Sequence, residues 1–359
     1  MQESAAFVAT IDVEADNEWE PRAEPTYNNI RALRGFQQLC DRYGVQPTYL
    51  VTYGVAAHND SVALLRELLQ DGNCEIGAHT HGWRTPPFYP PLDGDTLCQA
   101  YLYEYPDKVQ ADKVATLTDH LEQVFQVKMT SHRAGRWGID AHILSLLAAN
   151  GYEVDTSVAP LRSTQYKHGV PGGQGGPDFT KAPLQPYYPA SNDICRYGNS
   201  EILEVPVSIR IFSPALGVNW GRWLTGLFGG DGFVKRKIRG IVRGVRVAER
   251  VSLNPAVNRT RDMIRLVAEL IRANEPVLNM AFHSSELIAG GSPNVVNSCD
   301  EERVWRALED VFASVSTYPN LRKQTLAEYA RQYAVTHKRG DRLGFVTATG
   351  DECPEPNEL

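Results

Sequence analysis

No window of the sequence approaches the roughly 18 consecutive apolar residues that a membrane-spanning helix needs. The first ten residues carry neither the basic segment nor the apolar core of a secretory leader, so a cytoplasmic protein is expected. Cysteine is sparse and scattered. Cys40, Cys74, Cys98, Cys195, Cys299 and Cys353 form no CxxC pair and no short regular spacing, which argues against a zinc ribbon or a disulfide framework and fits a reducing compartment. Basic charge is not in excess either, since 36 Lys+Arg stand against 43 Asp+Glu for a formal net charge of −7. Wrapping nucleic acid needs a basic surface, so nucleic acid is not an expected partner. No internal repeat is found, and no shift of composition marks a linker.

What is present is a chain of 359 residues, 42% of them hydrophobic, enough for a large core. Short β-like runs alternate with longer amphipathic stretches, which is the sequence form of βα units around a parallel sheet. Strands are expected at 5–11, 46–51, 74–78, 129–132, 152–155, 202–206 and 276–282, each apolar enough to be covered on both faces. Helices are expected at 28–43, 61–70, 108–125, 141–150, 258–273, 301–316 and 325–333, with Asn59 and Asp60 as cap candidates for the second. The stretches 85–95 and 169–193, rich in Pro, Gly and Tyr, read as loops. The simplest division is one domain over 1–335 with a tail at 336–359.

Nearly every expected strand ends, on its C-terminal side, in a residue that can ligate a metal or move a proton. Asp12 and Glu14 follow the first, His79 and His81 the third, Arg133 the fourth, Asp155 the fifth, and His283 with Glu286 the last. In a βα barrel these ends meet at one mouth. His79 and His81, two residues apart beyond an apolar run, suit one ion, and Asp12 or Glu14 can supply an oxygen ligand for a two-histidine, one-carboxylate set. The plain alternative is that both imidazoles only bond loop backbone. Pro21 and Pro25 argue against a helix start after the acidic group, so Asp12 and Glu14 lie two apart on extended chain and face one way. Arg133 precedes a Gly-flanked turn and can pair with a catalytic carboxylate. Arg136, Trp137 and Trp83 are candidates to line a cleft, Trp137 by stacking on a sugar ring, and Glu286 is a candidate substrate contact. His283 suits a general acid, with Asp155 as the partner expected to keep it protonated.

Taken together, these stretches resemble the polysaccharide deacetylase (NodB-homology) family. The likeness rests on five motifs in order: Thr10-Ile11-Asp12, Glu75 to His81, Arg133 to Gly138, Asp155-Thr156-Ser157 and Phe282-His283. It covers roughly residues 5–290 and implies a distorted, seven-stranded (β/α) barrel of parallel strands, with a divalent ion, zinc first, held by a carboxylate and two histidines. By that likeness Asp12 is the base, Arg133 steadies it, Asp155 tunes His283, and His283 protonates the leaving amine as an N-acetylated amino sugar loses acetate. The sequence departs from the family pattern twice. Val13 stands where a second aspartate is usual, which makes Glu14 the candidate ligand with Asp12 as the alternative. Trp83 stands where the second histidine is usual, so His81 must substitute. The Asp-x-Glu, His-x-His and His-Ser-Ser-Glu combination resembles a branch associated with surface-glycan assembly.

One further stretch bears on substrate delivery. Trp220, Trp223, Leu224, Leu227 and Phe228 precede a basic run from Lys235 to Arg250. It is a candidate to rest on an anionic membrane surface, where lipid-linked glycans are built, or to grip a nucleotide-linked sugar. Its plain reading is a solvated helix face. Three other functions stay open at this stage: hydrolysis of a different C–N bond, as in a cyclic amide or ureide, a non-catalytic glycan-binding barrel, and a carboxylate-pair glycosidase, which would need neither the histidine pair nor a metal.

Overall fold

The structure, a computed structural model, describes residues 4–18, 24–88, 100–169, 173, 175–212 and 249–337. The basic stretch at 220–250 lies outside the described residues except for its last two, as do most of the C-terminal tail and part of the proline-rich loop after Thr85.

Seven parallel strands form a curled sheet: β1 (Ala6–Val13), β2 (Pro47–Val51), β3 (Glu75–Thr80), β4 (Ser131–Ala134), β5 (Val154–Asp155), β6 (Leu203–Glu204) and β7 (Val277–His283). Their spatial order is β7-β1-β2-β3-β4-β5-β6, and the short strand Arg322–Lys323 adds to β1 beside Ala6 and Phe7. The order follows the sequence because helices return the chain between most neighbours: α1 (Ala32–Tyr43), α2 (Asn59–Gln70), α3 (Asp107–Phe125) and α4 (Ala141–Ala149), then α5 (Thr260–Arg272) before β7 and α6 (Ser298–Ser316) and α7 (Leu326–Thr336) after it. Every position of β1 is buried, which a strand covered on both faces requires and an alternating pattern would not supply. Helix α5 buries Met263, Leu266, Val267 and Leu270, an i, i+3, i+4, i+7 stripe, and α1 drives Phe36 edge-on against Phe282 of β7 with ring centroids 5.4 Å apart. Gly44 ends α1 at φ 64°, a conformation that costs a glycine nothing.

The sheet's two edges approach without forming a ladder. Ser208 N donates to Asn279 O at 3.1 Å, and Asn279 Nδ2 donates to Val205 O at 3.1 Å and Thr156 Oγ1 at 2.8 Å. The buried Asn279 therefore bridges β7 to the chain around β6 through both its side-chain amide and its backbone. Two antiparallel strand pairs, Pro189–Ala190 with Asp193–Tyr197 and Ile209–Phe212 with Glu249–Ser252, are absent from the sequence reading. Asn59 is the first residue of α2 rather than its cap. His58 holds the cap position, with Nδ1 2.7 Å from Ser61 Oγ.

Candidate active site

Register fixes the site before any side chain is considered. Asp12 on β1 is the rung partner of His283 on β7, and His79 on β3 is the partner of Arg133 on β4. Glu14 lies two residues beyond Asp12 and His81 two beyond His79, each just past its strand's end, so all six side chains meet at the C-terminal mouth of the sheet. They open into a cleft of about 490 Å³.

Glu14, His79 and His81 converge. Glu14 Oε2 lies 3.2 Å from His81 Nε2 and 3.6 Å from His79 Nε2, and the two Nε2 atoms are 2.9 Å apart. Tetrahedral ligands about 2.0–2.1 Å from one zinc-sized ion sit about 3.3 Å from each other, and these three separations straddle that value. His79 Nδ1 lies 2.9 Å from Arg133 O, and since a carbonyl only accepts, Nδ1 carries the proton and Nε2 keeps a lone pair aimed at the convergence point. All three residues are buried. The donor set therefore fits a divalent ion. Burial alone would push the His79 pKa down, but Asp12 and Glu14 more than reverse it, so the pocket favours added positive charge. Burial would likewise raise Glu14, yet His283, His79 and His81 hold its carboxyl well below the usual range.

Asp12 belongs to a second layer. Its Oδ1 accepts from Arg133 Nη1 at 2.7 Å, and its Oδ2 is 3.6 Å from His283 Nε2. Burial opposes its charge, but Arg133, His79 and His283 overcome that and keep the pKa low. Arg133 is fixed on all sides: Nε donates to Thr156 O at 3.1 Å, Nη2 to Thr10 Oγ1, and its guanidinium lies 5.4 Å from the Trp137 ring centroid. His283 is a quarter exposed to the cleft. Burial would lower its pKa, while Glu14, Glu286 and Asp12 push it up to about 10.

Two expected partners are placed differently. Asp155 does not face His283. Its Oδ1 is 2.7 Å from His132 Nδ1, beneath the mouth, and it also accepts from Ser157 N at 2.9 Å. The reason is geometric, because Asp155 is the rung partner of His132 on the adjacent strand, on the far side of the sheet order from β7. Glu286 takes the place expected for Asp155. Fully buried, it accepts from His283 N at 3.0 Å and sits 3.4 Å from His283 Nδ1, while its other oxygen accepts from Asn294 Nδ2 at 2.8 Å. Both carboxylate oxygens are thus engaged with protein, and Glu286, expected as a substrate contact, supports His283 while also lining the cleft. Its three-residue offset is that of a capping box, a signal the sequence carried.

The remaining predicted residues line the cleft. Trp83 meets the His81 ring edge-on at 4.3 Å and donates to Glu18 Oε1 at 3.2 Å. Arg136 and Trp137 occupy consecutive left-handed positions, φ 55° and φ 63°, a strained turn that turns both side chains into the opening. Arg162, Lys167, Tyr101 and Glu18 also line it and were missed, because each sits on an irregular segment with no periodicity to place it.

No family model matches the sequence, and no curated protein does. Solved structures do match in fold. A Mycobacterium smegmatis protein described as a polysaccharide deacetylase superposes with a TM-score of 0.52 at 15% identity, covering 94% of this chain and 92% of its own. A Parabacteroides distasonis protein described as a glycoside hydrolase/deacetylase gives 0.60 at 11% identity, covering 95% and 74%. A 4-alpha-glucanotransferase from Thermococcus litoralis gives 0.52 at 13%, covering 92% of this chain but 40% of its own. At these identities the likeness is one of fold.

Proposed function

We propose that this protein is a metal-dependent hydrolase that removes the N-acetyl group of an amino sugar in a glycan or glycan precursor and releases acetate. The observation that carries this reading is the convergence of Glu14, His79 and His81 between an Arg-held carboxylate, Asp12, and a carboxylate-held imidazole, His283. A divalent ion on the three ligands, zinc by their chemistry, supplies Lewis acidity and lowers the pKa of a water. The chain's own groups do the rest. Asp12, kept ionised by Arg133, accepts the proton of the attacking water. His283, kept charged by Glu14, Glu286 and Asp12, gives a proton to the departing amine. Trp83 and Trp137 offer aromatic faces to the sugar ring, and burial of the polar groups keeps their charges strong against solvent.

The test is elemental analysis of protein purified without chelator or tag metal, compared with His79→Ala and His81→Ala, followed by acetate release from N-acetylated oligosaccharides. Near-stoichiometric zinc, lost in both variants, together with chelator-sensitive acetate release is the expected result. Chelator-resistant cleavage of a glycosidic bond would overturn the reading, since a carboxylate-pair glycosidase needs no ion.

A further inference from the structure

The cleft has a second pole that the deacetylation chemistry leaves unused. Arg136, Arg162 and Lys167 line the same opening as the Glu14, His79 and His81 cluster, and among the described residues no carboxylate oxygen lies within 4.0 Å of any of the three. They come from separate parts of the chain. Arg136 lies in the turn after β4, while Arg162 and Lys167 lie in the insertion between β5 and β6. Tyr101 joins the two parts, for its ring lies 5.3 Å from the Arg136 guanidinium and its hydroxyl donates to Lys167 O at 2.8 Å. Trp137 divides the two poles, with the Arg133 guanidinium 5.4 Å and the Arg162 guanidinium 6.0 Å from its ring centroid.

Holding three like charges together with no carboxylate within ion-pair distance among the described residues is unfavourable. Burial lowers the pKa of both Arg162 and Lys167, and for Lys167 the neighbouring Arg162 and Arg136 lower it further. The backbone adds to the cost. Arg136 and Trp137 are left-handed, and so is Leu161 at φ 62°, the residue that aims Arg162. Strain at such residues persists where the surrounding site over-determines it. A neutral glycan would leave this arrangement without compensation, whereas an anion would relieve repulsion and exploit two planar guanidinium forks.

We infer that the Arg136, Arg162 and Lys167 pole of the cleft binds an anionic group of the substrate, a phosphate or a carboxylate, carried beyond Trp137 from the acetylated nitrogen. The inference rests on the proposed deacetylation for the word substrate, and on the side-chain placement alone for the anion. It narrows the substrate class to N-acetylated sugars bearing a phosphate linkage, as on a nucleotide or lipid carrier, or a carboxyl group, as in an acidic sugar.

The test is isothermal titration calorimetry of the full chain with inorganic pyrophosphate and, separately, glucuronate. Three proteins are compared: the parent, His81→Ala, and the double variant Arg162→Gln with Lys167→Gln. The expected result is binding of at least one probe to the parent and to His81→Ala, weakened at least tenfold in the double variant and weakened in the parent by raised salt. Pyrophosphate alone binding identifies the phosphate source, and glucuronate alone the carboxylate. No binding of either probe, equal binding by the double variant, or loss of binding in His81→Ala would overturn the inference, the last because the anion would then sit on the ion ligands. Because calorimetry needs no turnover, a failed deacetylation assay leaves this result readable on its own.

Discussion

Asp12 and His283 are rung partners across the β1–β7 ladder, and their side chains meet at the top of it with Oδ2 3.6 Å from Nε2. Each is held from behind by a group of opposite charge, Asp12 by Arg133 and His283 by Glu286. The two groups proposed to move protons therefore sit side by side on adjacent strands while their supports come from opposite sides. Substitutions can separate the roles.

Asp12→Asn keeps the shape and one acceptor for Arg133 but removes the base. Zinc content is expected to hold, since Asp12 is outside the Glu14, His79 and His81 set, while kcat falls by about 10²- to 10⁴-fold. Paired metal analysis and acetate-release kinetics check this. Loss of the ion in Asp12→Asn would make Asp12 the ligand and refute the assignment of Glu14.

Glu286→Gln is expected to move the alkaline limb of activity to lower pH. His283 acts as an acid only when protonated, so activity is lost as pH rises through its pKa, which the carboxylates push up to about 10. An ion on Glu14 offsets that carboxylate's pull, leaving Glu286 and Asp12 to hold the imidazole charged. Removing the Glu286 charge lowers the value further. A pH–kcat profile unchanged in Glu286→Gln would exclude His283 as the titrating acid.

Gly135→Ala tests how tightly the ligand set is built. A Cβ at Gly135 would lie 2.9 Å from both Cε1 and Nδ1 of His81 and 2.9 Å from Thr80 O, so the imidazole must shift. The expected outcome is weakened zinc affinity in a protein that still folds, read by competition with a chromophoric chelator alongside thermal unfolding. Parent-like affinity would show that His81 is not a ligand in its present rotamer.

Much of this arrangement was legible in the sequence, and the reason is the parallel sheet. Buried strands read as short apolar runs, and the first polar residue after each marks the mouth, so Asp12, His79, Arg133 and His283 could be placed together without coordinates. Partnership was not legible in the same way. Whether Asp155 reaches His132 or His283 depends on which strand lies beside β5, and strand order is not written in local pattern. Glu204 shows the same limit from another side. This carboxylate inside the apolar run Ile202 to Val205 was not singled out from the sequence, and its neighbour Asp155 lies on the adjacent strand. The cationic pole was illegible because Arg162 and Lys167 sit on irregular chain whose path is set by backbone bonds such as Phe179 N to Arg162 O.

Glu204 itself yields the last prediction. It lies on β6 as the rung partner of Asp155 on β5, both fully buried, with its Oε1 accepting from Val158 N at 3.0 Å. Two buried carboxylates side by side cannot both ionise cheaply, so one keeps a proton. Burial raises Glu204 and the Asp155 charge raises it further, well above its ordinary 4.5, whereas for Asp155 burial is outweighed by His132 and the value falls. The proton therefore sits on Glu204. Between pH 4.5 and its folded pKa the folded chain binds a proton there that the unfolded chain has lost. Stability must fall as pH rises through that window. Glu204→Gln supplies a neutral donor of similar shape and removes the titration, so its stability should lose this downward slope and match or exceed the parent's at pH 8. Asp155→Asn should instead cost about 1–3 kcal/mol, because it removes the charged acceptor facing His132. Urea unfolding of the three proteins from pH 4.5 to pH 8 separates these outcomes, and parallel pH curves for the parent and Glu204→Gln would refute the shared proton.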